Sequence, residues 1–218
     1  MPNLERRYMG KIEITKKVLG ICATNCYTVV DTETKEALII DPADREDVLI
    51  RDWKDKGVTP QAVLLTHGHF DHIGALAGVK KEYPDIKVYA AAKEKEVMES
   101  PTLNLSSSFG AAFTAQADIY LEDGAEIEVL GRTCKCLLVP GHTKGGMCYY
   151  FPEEKVVFTG DTLFCYSVGR TDFPTGDAKA LEKAIREKLF TLPDETLVLP
   201  GHDAQTMIGK EKKGNPYF

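Results

Sequence analysis

The sequence contains 218 residues, of which 43% are hydrophobic, and its formal net charge at pH 7 is −6. This length and composition suffice for one buried core of ordinary size, and the negative charge, with no Lys- or Arg-rich block to offset it, argues against a nucleic-acid partner. The segment Met1 to Gly10 is charged and has no apolar run. We therefore expect neither a signal peptide nor a membrane span, and a cytoplasmic location.

The first third of the chain predicts strands interrupted by one helix. Short runs rich in β-branched and aromatic residues alternate with polar turns before Asp41-Pro42. The next segment has apolar residues at helical spacing, with Val48, Leu49 and Trp53 on the buried side. A continuous apolar run then predicts a buried strand. The predicted strands are residues 11–14, 26–30, 37–40 and 62–65, and the helix is residues 44–56.

The rest of the chain predicts three more helices, a long loop and a second group of strands. The first of these helices has an apparent buried stripe of Ile73, Leu76, Ala77 and Lys80. Residues 100–118 lack periodicity, and we expect a long loop that overhangs the functional site. The predicted helices are residues 73–83, 91–99 and 177–189. The predicted strands are residues 87–90, 126–129, 134–139, 147–151, 155–159 and 196–199, and the four from 126 to 159 follow in meander order.

This order of elements favours an α/β (α+β) fold in which two mixed β-sheets pack face to face and helices cover their outer faces. A doubly wound sheet would alternate strands and helices strictly, whereas here runs of strands precede each helix-rich part. We therefore predict an αββα (αβ/βα) sandwich, with residues 1–218 forming a single domain.

The six cysteines predict neither disulfides nor a zinc knuckle. No pair has the Cys-x-x-Cys spacing, and a cytosolic protein of this size needs no covalent cross-links. Cys134 and Cys136 alternate along a predicted strand and so point to one face. We expect packed thiols, with Cys165 as the candidate for a redox role.

All five histidines stand at the ends of predicted strands. Three lie in the segment Thr66 to His72 together with Asp71, while His142 and His202 each follow a Pro-Gly pair and Asp161 follows a similar Thr-Gly pair. Loops at strand ends hold side chains in place yet leave them open to substrate. Imidazole and carboxylate ligands suit Zn²⁺, Fe or Mn²⁺. Seven ligands are too many for one tetrahedral ion, so we predict two ions that share one carboxylate.

These segments resemble the five-part signature of the metallo-β-lactamase superfamily over nearly the whole chain. Residues 160–164 (Gly-Asp-Thr-Leu-Phe) and the tail Asn215-Pro216-Tyr217 further resemble the glyoxalase II group, which hydrolyses hydroxyacyl-glutathione thioesters. The resemblance implies two divalent metal ions, zinc first with iron or manganese as alternatives, and catalytic roles for Asp71 and Asp161. The implied ligands are His67, His69 and His142 for the first ion, Asp71, His72 and His202 for the second, and Asp161 as the bridge.

The chemistry of two such ions fits the activity that the resemblance implies. They would lower the pKa of a shared water molecule toward neutrality, giving a metal-bound hydroxide, while one ion polarises the substrate carbonyl. A thioester is a suitable substrate because a thiolate leaves without a strong general acid. The expected partner is a small-molecule thioester with glutathione as the candidate carrier, and no nucleic acid or membrane is involved.

Two departures from the glyoxalase II pattern leave the thiol carrier open. Only residues 203–218 follow the last ligand, His202, so we do not expect the C-terminal helical domain that supplies glutathione contacts in full-length members. The glyoxalase II group has a Gly-Lys-Phe-Tyr-like segment after the residue that corresponds to Asp161. Residues 169–172 (Gly-Arg-Thr-Asp) retain a cationic residue there but lack the tyrosine. We predict that Arg170 contacts a substrate carboxylate and that Lys210 and Lys213 are further substrate-binding cations.

Two alternatives to hydrolysis stay open. Residues 169–173 resemble the persulfide dioxygenases, which keep the same ligands in sequence but bind one iron through two histidines and one aspartate. The other alternative is a non-catalytic domain that senses metal or redox state, with Cys165 as the sensor. The sequence determines neither the acyl group nor the oligomeric state.

Overall fold

The structure is a computed structural model that describes residues 7–9 and 11–218. Residues 1–6 and 10, and so most of the segment on which the signal-peptide expectation rests, lie outside the described residues. The strands are β1 (Arg7–Met9), β2 (Ile12–Leu19), β3 (Thr24–Asp31), β4 (Glu36–Ile40), β5 (Thr59–Leu64), β6 (Lys87–Ala91), β7 (Ile119–Leu121), β8 (Glu126–Val129), β9 (Arg132–Leu138), β10 (Met147–Phe151), β11 (Val156–Gly160), β12 (Leu163–Phe164), β13 (Ser167–Val168), β14 (Leu197–Pro200) and β15 (Thr206–Met207). The α-helices are α1 (Glu46–Asp55), α2 (Phe70–Ile73), α3 (Leu76–Glu82), α4 (Lys95–Met98), α5 (Ala178–Ala184) and α6 (Ile208–Gly214).

The first sheet contains, within the described residues, seven strands in sequential order from β1 to β7. Neighbours from β1 to β4 are antiparallel, and neighbours from β4 to β7 are parallel. Asp31 fixes the turn between β3 and β4, because its carboxylate accepts hydrogen bonds from the backbone N–H groups of Glu33 and Thr34. Ile40 at the end of β4 lies opposite Leu64 at the end of β5. Both strands therefore leave the sheet at the same edge.

The second sheet has six strands in the part of the chain that the structure describes, in the order β15-β14-β11-β10-β9-β8. Strands β8 to β11 form the predicted antiparallel meander. β14 pairs parallel with β11, and α5 supplies the crossover that a parallel pair requires. The hairpin of β12 and β13 follows Asp161. This hairpin, β1, β7, β15 and α6 are absent from the sequence prediction, because such short segments carry too little periodicity to be recognised.

The two sheets face each other across one core, and helices cover both outer faces. The central core joins residues such as Ile40 and Leu64 of the first sheet to Tyr149 and Phe158 of the second. Helices α1 and α3 pack on the outer face of the first sheet, and α5 packs on the outer face of the second. This arrangement confirms the predicted αββα sandwich. None of the helices in the described ranges combines the length and apolar character needed to cross a bilayer.

Helix α1 shows how the sequence pattern produces the outer layer. Leu49 and Trp53, one turn apart, are fully buried, as predicted, while Val48 is only half-buried. The indole N–H of Trp53 donates a 3.0 Å hydrogen bond to Oγ1 of Thr28 on β3. Burying each of these large side chains contributes about 1.5–3 kcal/mol, and the hydrogen bond satisfies the one polar atom of the indole.

The segment predicted as one helix over residues 73–83 is divided into two. α2 begins at Phe70, before the predicted start, and α3 begins only at Leu76. At the break, the backbone N–H of Ala75 donates to the carbonyl of Pro42 instead of continuing the helical ladder. Ile73 and Leu76 of the predicted stripe are buried as expected, whereas Ala77 is exposed and Lys80 is only half-buried. Val79 is buried instead.

Residues 100–118 form the predicted long loop, which contains one 3₁₀ turn at Ser106–Phe109. The carbonyl of Asn104 accepts a 2.8 Å hydrogen bond from the backbone N–H of Phe70, and its side-chain amide donates to the carbonyl of Phe113 at 2.9 Å. The ring of Phe109 stacks on that of Phe70 with a centroid distance of 4.4 Å. The loop is therefore packed against α2, the helix that carries Asp71 and His72.

Candidate metal centre

Seven side chains from both sheets meet at one edge of the sandwich, where several strands end. Backbone hydrogen bonds join the sheets there: the N–H of Met147 donates to the carbonyl of Thr66 at 2.8 Å, and that of Asn25 to the carbonyl of Gly201 at 2.7 Å. The side chains come from the loop after β5, from α2, and from the segments after β9, β11 and β14. They are His67, His69, Asp71, His72, His142, Asp161 and His202, all of the ligands predicted from sequence.

The first group consists of three buried histidines, His67, His69 and His142. Nε2 of His67 lies 3.1 Å from Nδ1 of His69, and Nε2 of His142 lies 2.9 Å from the same Nδ1. Nitrogen ligands at the usual Zn–N distance around a tetrahedral ion are about 3.3 Å apart. The three nitrogens thus converge as the donors of one small cation would.

The second group consists of Asp71, His72 and His202. Oδ2 of Asp71 lies 3.6 Å from Nε2 of His72 and 3.4 Å from Nε2 of His202. This group contains a carboxylate where the first has a third imidazole. A cation in it would therefore meet a harder, more negative set of donors.

Asp161 lies between the two groups. Its Oδ1 is 3.3 Å from Nε2 of His72, while its Oδ2 is 3.3 Å from Nε2 of His202 and 3.6 Å from Nε2 of His142. His67, His72 and Asp161 also place one donor atom each within 4.8 Å of one another. The two groups are thus adjacent, and among the described residues Asp161 is the carboxylate in contact with both.

Some buried polar atoms of the cluster have no hydrogen-bond partner, and they indicate whether the cluster suits a cation. Nε2 of His72 and Oδ1 of Asp161, which lie 3.3 Å apart, are both buried, and within the described residues neither makes a hydrogen bond. Buried polar atoms are normally hydrogen-bonded, and each one left alone costs free energy. Lone pairs of nitrogen and carboxylate oxygen that face one space are what a divalent metal ion needs. The residues present fit a metal centre.

Hydrogen bonds behind the cluster set the orientation of several of these side chains. Nδ1–H of His72 donates to Oδ2 of Asp41 at 2.8 Å, and Nδ1–H of His142 donates to the carbonyl of Arg170 at 2.7 Å. In both rings this hydrogen bond orients Nε2 toward the cluster. Metal-bound histidines usually have such a hydrogen-bond partner on their other ring nitrogen. Thr24 donates to Oδ2 of Asp71 at 2.7 Å.

Asp41 is a functional residue that the sequence reasoning missed. Besides holding His72, its carboxylate accepts hydrogen bonds from the backbone N–H and from Oγ1 of Thr66, each at 2.7 Å. It directly follows β4, the parallel neighbour of β5, so its position at a strand end is the signal that would have identified it.

Glu94 is a second residue that the sequence reasoning missed. Its side chain is fully buried, and its carboxylate accepts hydrogen bonds from the backbone N–H groups of Gly68 and Gly145. Burial raises the pKa of Glu94 above its ordinary value. The sequence offers no signal for it, because a glutamate in a charged helical segment normally faces solvent.

Burial and charge separate the pKa values of the histidines in the two groups. Burial lowers the pKa of His67 well below its ordinary value and that of His69 to about 3. Burial acts in the same direction at His72 and His202, but the carboxylates of Asp71 and Asp161 outweigh it. The pKa of His72 is raised well above its ordinary value, and that of His202 is raised to about 9.

The predicted substrate contact Arg170 lies at the rim of the cluster. Its guanidinium is exposed, forms a bidentate ion pair with Asp172 and lies 4.0 Å from the ring centroid of Phe173. The Phe173 ring in turn packs edge-on against His69, with a centroid distance of 5.7 Å. The side chain of Arg170 is thus beside the first group. Lys210 and Lys213 are exposed on α6, and their role in substrate binding stays a prediction.

Comparison of the sequence with known families gives a match over residues 19–202 to the model of the metallo-β-lactamase superfamily. A probable metallo-hydrolase of Bacillus subtilis, YqgX, is 38% identical over 92% of this chain and 94% of its own length. The hydroxyacylglutathione hydrolase GloC of Haemophilus influenzae is 35% identical over 89% of this chain and 92% of its own length.

Solved structures of similar sequence share the whole sandwich. The B3 metallo-β-lactamase BLEG-1 is 39% identical, with a TM-score of 0.89 over 94% of this chain and 98% of that one. TTHA1623 in a di-iron-bound form is 36% identical, with a TM-score of 0.82 over 93% of this chain and 99% of that one. ETHE1 from Myxococcus xanthus is 30% identical, with a TM-score of 0.74 over 93% of this chain and 83% of that one. The names of these proteins differ, so their similarity does not by itself identify a substrate.

Proposed function

The chain belongs to the metallo-β-lactamase superfamily, and from this premise we propose that it is a metal-dependent hydrolase that cleaves a small-molecule thioester of the hydroxyacylglutathione type. The similarity to a hydroxyacylglutathione hydrolase supports the substrate class. The similarity to a probable metallo-hydrolase and the convergence of five histidines and two aspartates support hydrolysis at a metal centre.

The observation that carries the proposal is the position of Asp161 between the two groups. Its oxygens lie 3.3–3.6 Å from ring nitrogens of both groups, and a carboxylate in this position is a suitable shared ligand for two neighbouring cations. We propose zinc, with iron or manganese as alternatives, and the di-iron-bound relative supports the iron alternative. The proposed ligands are His67, His69 and His142 in the first group, Asp71, His72 and His202 in the second, and Asp161 between them.

Two divalent ions in this position would activate a water molecule and polarise the carbonyl of a substrate. The residues behind the cluster prepare it for that chemistry. Asp41 and the carbonyl of Arg170 hold His72 and His142 in the tautomer whose Nε2 accepts. Thr24 holds Asp71 by donating to its carboxylate. A thioester needs no strong general acid, since the departing thiol has an ordinary pKa of about 8.5.

A persulfide dioxygenase is the second candidate function. The observation that favours it is the location of residues 169–173, the segment that resembles those enzymes, at the rim of the cluster. Phe173 packs against both His69 and His142. This segment therefore lies where it can affect the reaction, whichever of the two reactions occurs.

Metal analysis combined with two assays separates these functions. We expect about two metal ions for each chain, hydrolysis of S-lactoylglutathione, and no O₂ uptake with glutathione persulfide. About one iron for each chain, with persulfide-dependent O₂ uptake and intact S-lactoylglutathione, would refute the hydrolase. A cephalosporin in the same panel tests β-lactam cleavage. The control is the double variant His67→Ala/His142→Ala, which lacks two of the proposed ligands and should be inactive in every assay.

A further inference from the structure

A pocket with a volume of about 220 Å³ lies beside Asp71, outside the cluster of seven side chains. Its wall includes Ile21 from the turn between β2 and β3, Phe70 from α2, and Phe109 and Phe113 from the loop of residues 100–118. Asp71 belongs to both the pocket wall and the second group of proposed ligands. A group that occupies the pocket is therefore next to the proposed reaction centre.

Apolar side chains stand exposed at this pocket. Ile21 is 78% exposed and Phe109 is 51% exposed. Phe109 is nevertheless held in place, because its ring stacks on Phe70 at a centroid distance of 4.4 Å. Exposed apolar side chains around a concave surface are typical of a ligand site, since a ligand there removes them from water.

The charges around the pocket restrict what it can bind. Among the described residues in its wall, the charged ones are Asp44 and Asp71, both acids. A bound ion would offset the charge of Asp71, a proposed ligand, but Asp44 would still repel a carboxylate of glutathione, and the described wall offers no cation to attract one. An uncharged apolar group gains the free energy of burial there. The candidate cation, Arg170, lies instead beside Phe173, which contacts His69 and His142 of the first group.

We propose that this pocket receives the acyl side chain of the thioester, and that the preferred acyl group carries an apolar ring or branched chain in place of the methyl group of lactate. This inference rests on the proposed thioesterase function. A cavity of about 150 Å³ lined by apolar side chains is large enough to bind benzene, so this pocket has room for a phenyl group. An anionic thiol carrier would then extend toward the first group, beside which Arg170 lies.

Two thioesters that differ in one substituent test the inference. S-mandeloylglutathione has a phenyl group where S-lactoylglutathione has a methyl group, and both share the hydroxyacyl centre. We expect kcat/KM to be about tenfold or more higher for the mandeloyl thioester. Phe109→Ala should lower that ratio severalfold by removing one wall. Ala111→Trp, which narrows the same pocket, should lower the ratio further, because the phenyl group needs more room than the methyl group.

The matched control is Val18→Ala, which removes an apolar side chain that is 49% exposed on β2 and absent from the pocket wall. It should leave the ratio unchanged. Equal kcat/KM values for the two thioesters, or a ratio that neither pocket variant alters, would overturn the acyl pocket while leaving thioester hydrolysis intact. If neither thioester is hydrolysed, the proposed function itself is rejected, and the pocket inference falls with it.

Discussion

Oε2 of Glu94 accepts a 2.7 Å hydrogen bond from the backbone N–H of Gly68, the residue between His67 and His69. Oε1 accepts a 2.8 Å hydrogen bond from the backbone N–H of Gly145, in the loop that follows His142. Neither glycine leaves room for a side chain: a Cβ on Gly68 would lie 2.7 Å from Cγ of Met98. One buried carboxylate therefore joins the two loops that carry the first histidine group.

Glu94→Gln should weaken metal binding at the first group selectively. The amide has a single acceptor oxygen, so one of the two backbone N–H groups loses its partner and the loops can shift. Partners behind metal ligands typically contribute 10–100-fold in affinity, and we expect a loss of about that size at the first group. A two-step titration of metal-free protein with Zn²⁺ against a chelator measures it.

Glu154→Gln is the matched control for this variant. Glu154 is also a buried carboxylate, but it pairs at 2.8 Å with Arg132, the first residue of β9. Its loss should lower stability and leave both metal affinities unchanged. If Glu94→Gln weakens both groups equally, Glu94 supports the fold in general and does not position the first group.

Asp161→Ala should lower metal content at both groups, because the carboxylate of Asp161 lies near ring nitrogens of His142 in the first group and of His72 and His202 in the second. Elemental analysis after dialysis against a stated metal concentration gives the number of ions for each chain. Asp118→Ala, which removes a half-exposed carboxylate paired with Lys80, is the control and should retain the wild-type number. Retention of two ions by Asp161→Ala would exclude a bridging role.

The two groups should also differ in how metal binding depends on pH. An ion must displace the protons of its ligands. Without metal, His202 has a pKa raised to about 9 and the pKa of His72 is also raised, so both must lose a proton before their Nε2 atoms can bind an ion at pH 7. His67 and His69, whose pKa values are lowered, are neutral. Affinity at the second group should therefore fall as the pH decreases below about 9, and protons on His67 and His69 should not compete with metal at the first group in this range.

Calorimetric titration in two buffers with different ionisation enthalpies measures this difference. Binding at the second group should release about two protons at pH 7, from His72 and His202, and His67 and His69 should release none at the first. Equal proton release in the two steps would contradict the separation of pKa values.

Arg170→Ala should change substrate binding without changing metal content. The contact with His142 uses the backbone carbonyl of Arg170, which the substitution retains. The exposed guanidinium should contribute only modestly to binding of a substrate carboxylate, so we expect KM to rise about two- to fivefold with kcat nearly constant. Asp172→Ala is the informative companion, since it frees the guanidinium from its ion pair and should lower KM. An unchanged KM in both variants would remove Arg170 from the substrate site.

Much of the fold and of the candidate site could be predicted from the sequence because both depend on local patterns. Alternating and continuous apolar runs indicate where strands lie, and the Pro-Gly pairs before His142 and His202 mark where two of those strands end. Strand ends gather at the edges of a sheet, so histidines at several strand ends predict a cluster. The αββα sandwich and the meeting of all seven predicted side chains agree with that reasoning.

The sequence alone determined which residues form the candidate site, whereas only the tertiary structure decided how they are held and what surrounds them. Asp41 meets His72 across 31 positions of the chain, and Glu94 meets Gly145 across 51. Arg170 contacts His142 through its backbone carbonyl, which every residue has, so the residue type at position 170 does not indicate this contact. Phe109 joins the pocket beside Asp71 because an aperiodic loop packs on α2. Such contacts depend on the relative positions of distant segments, and no local pattern of residues encodes them.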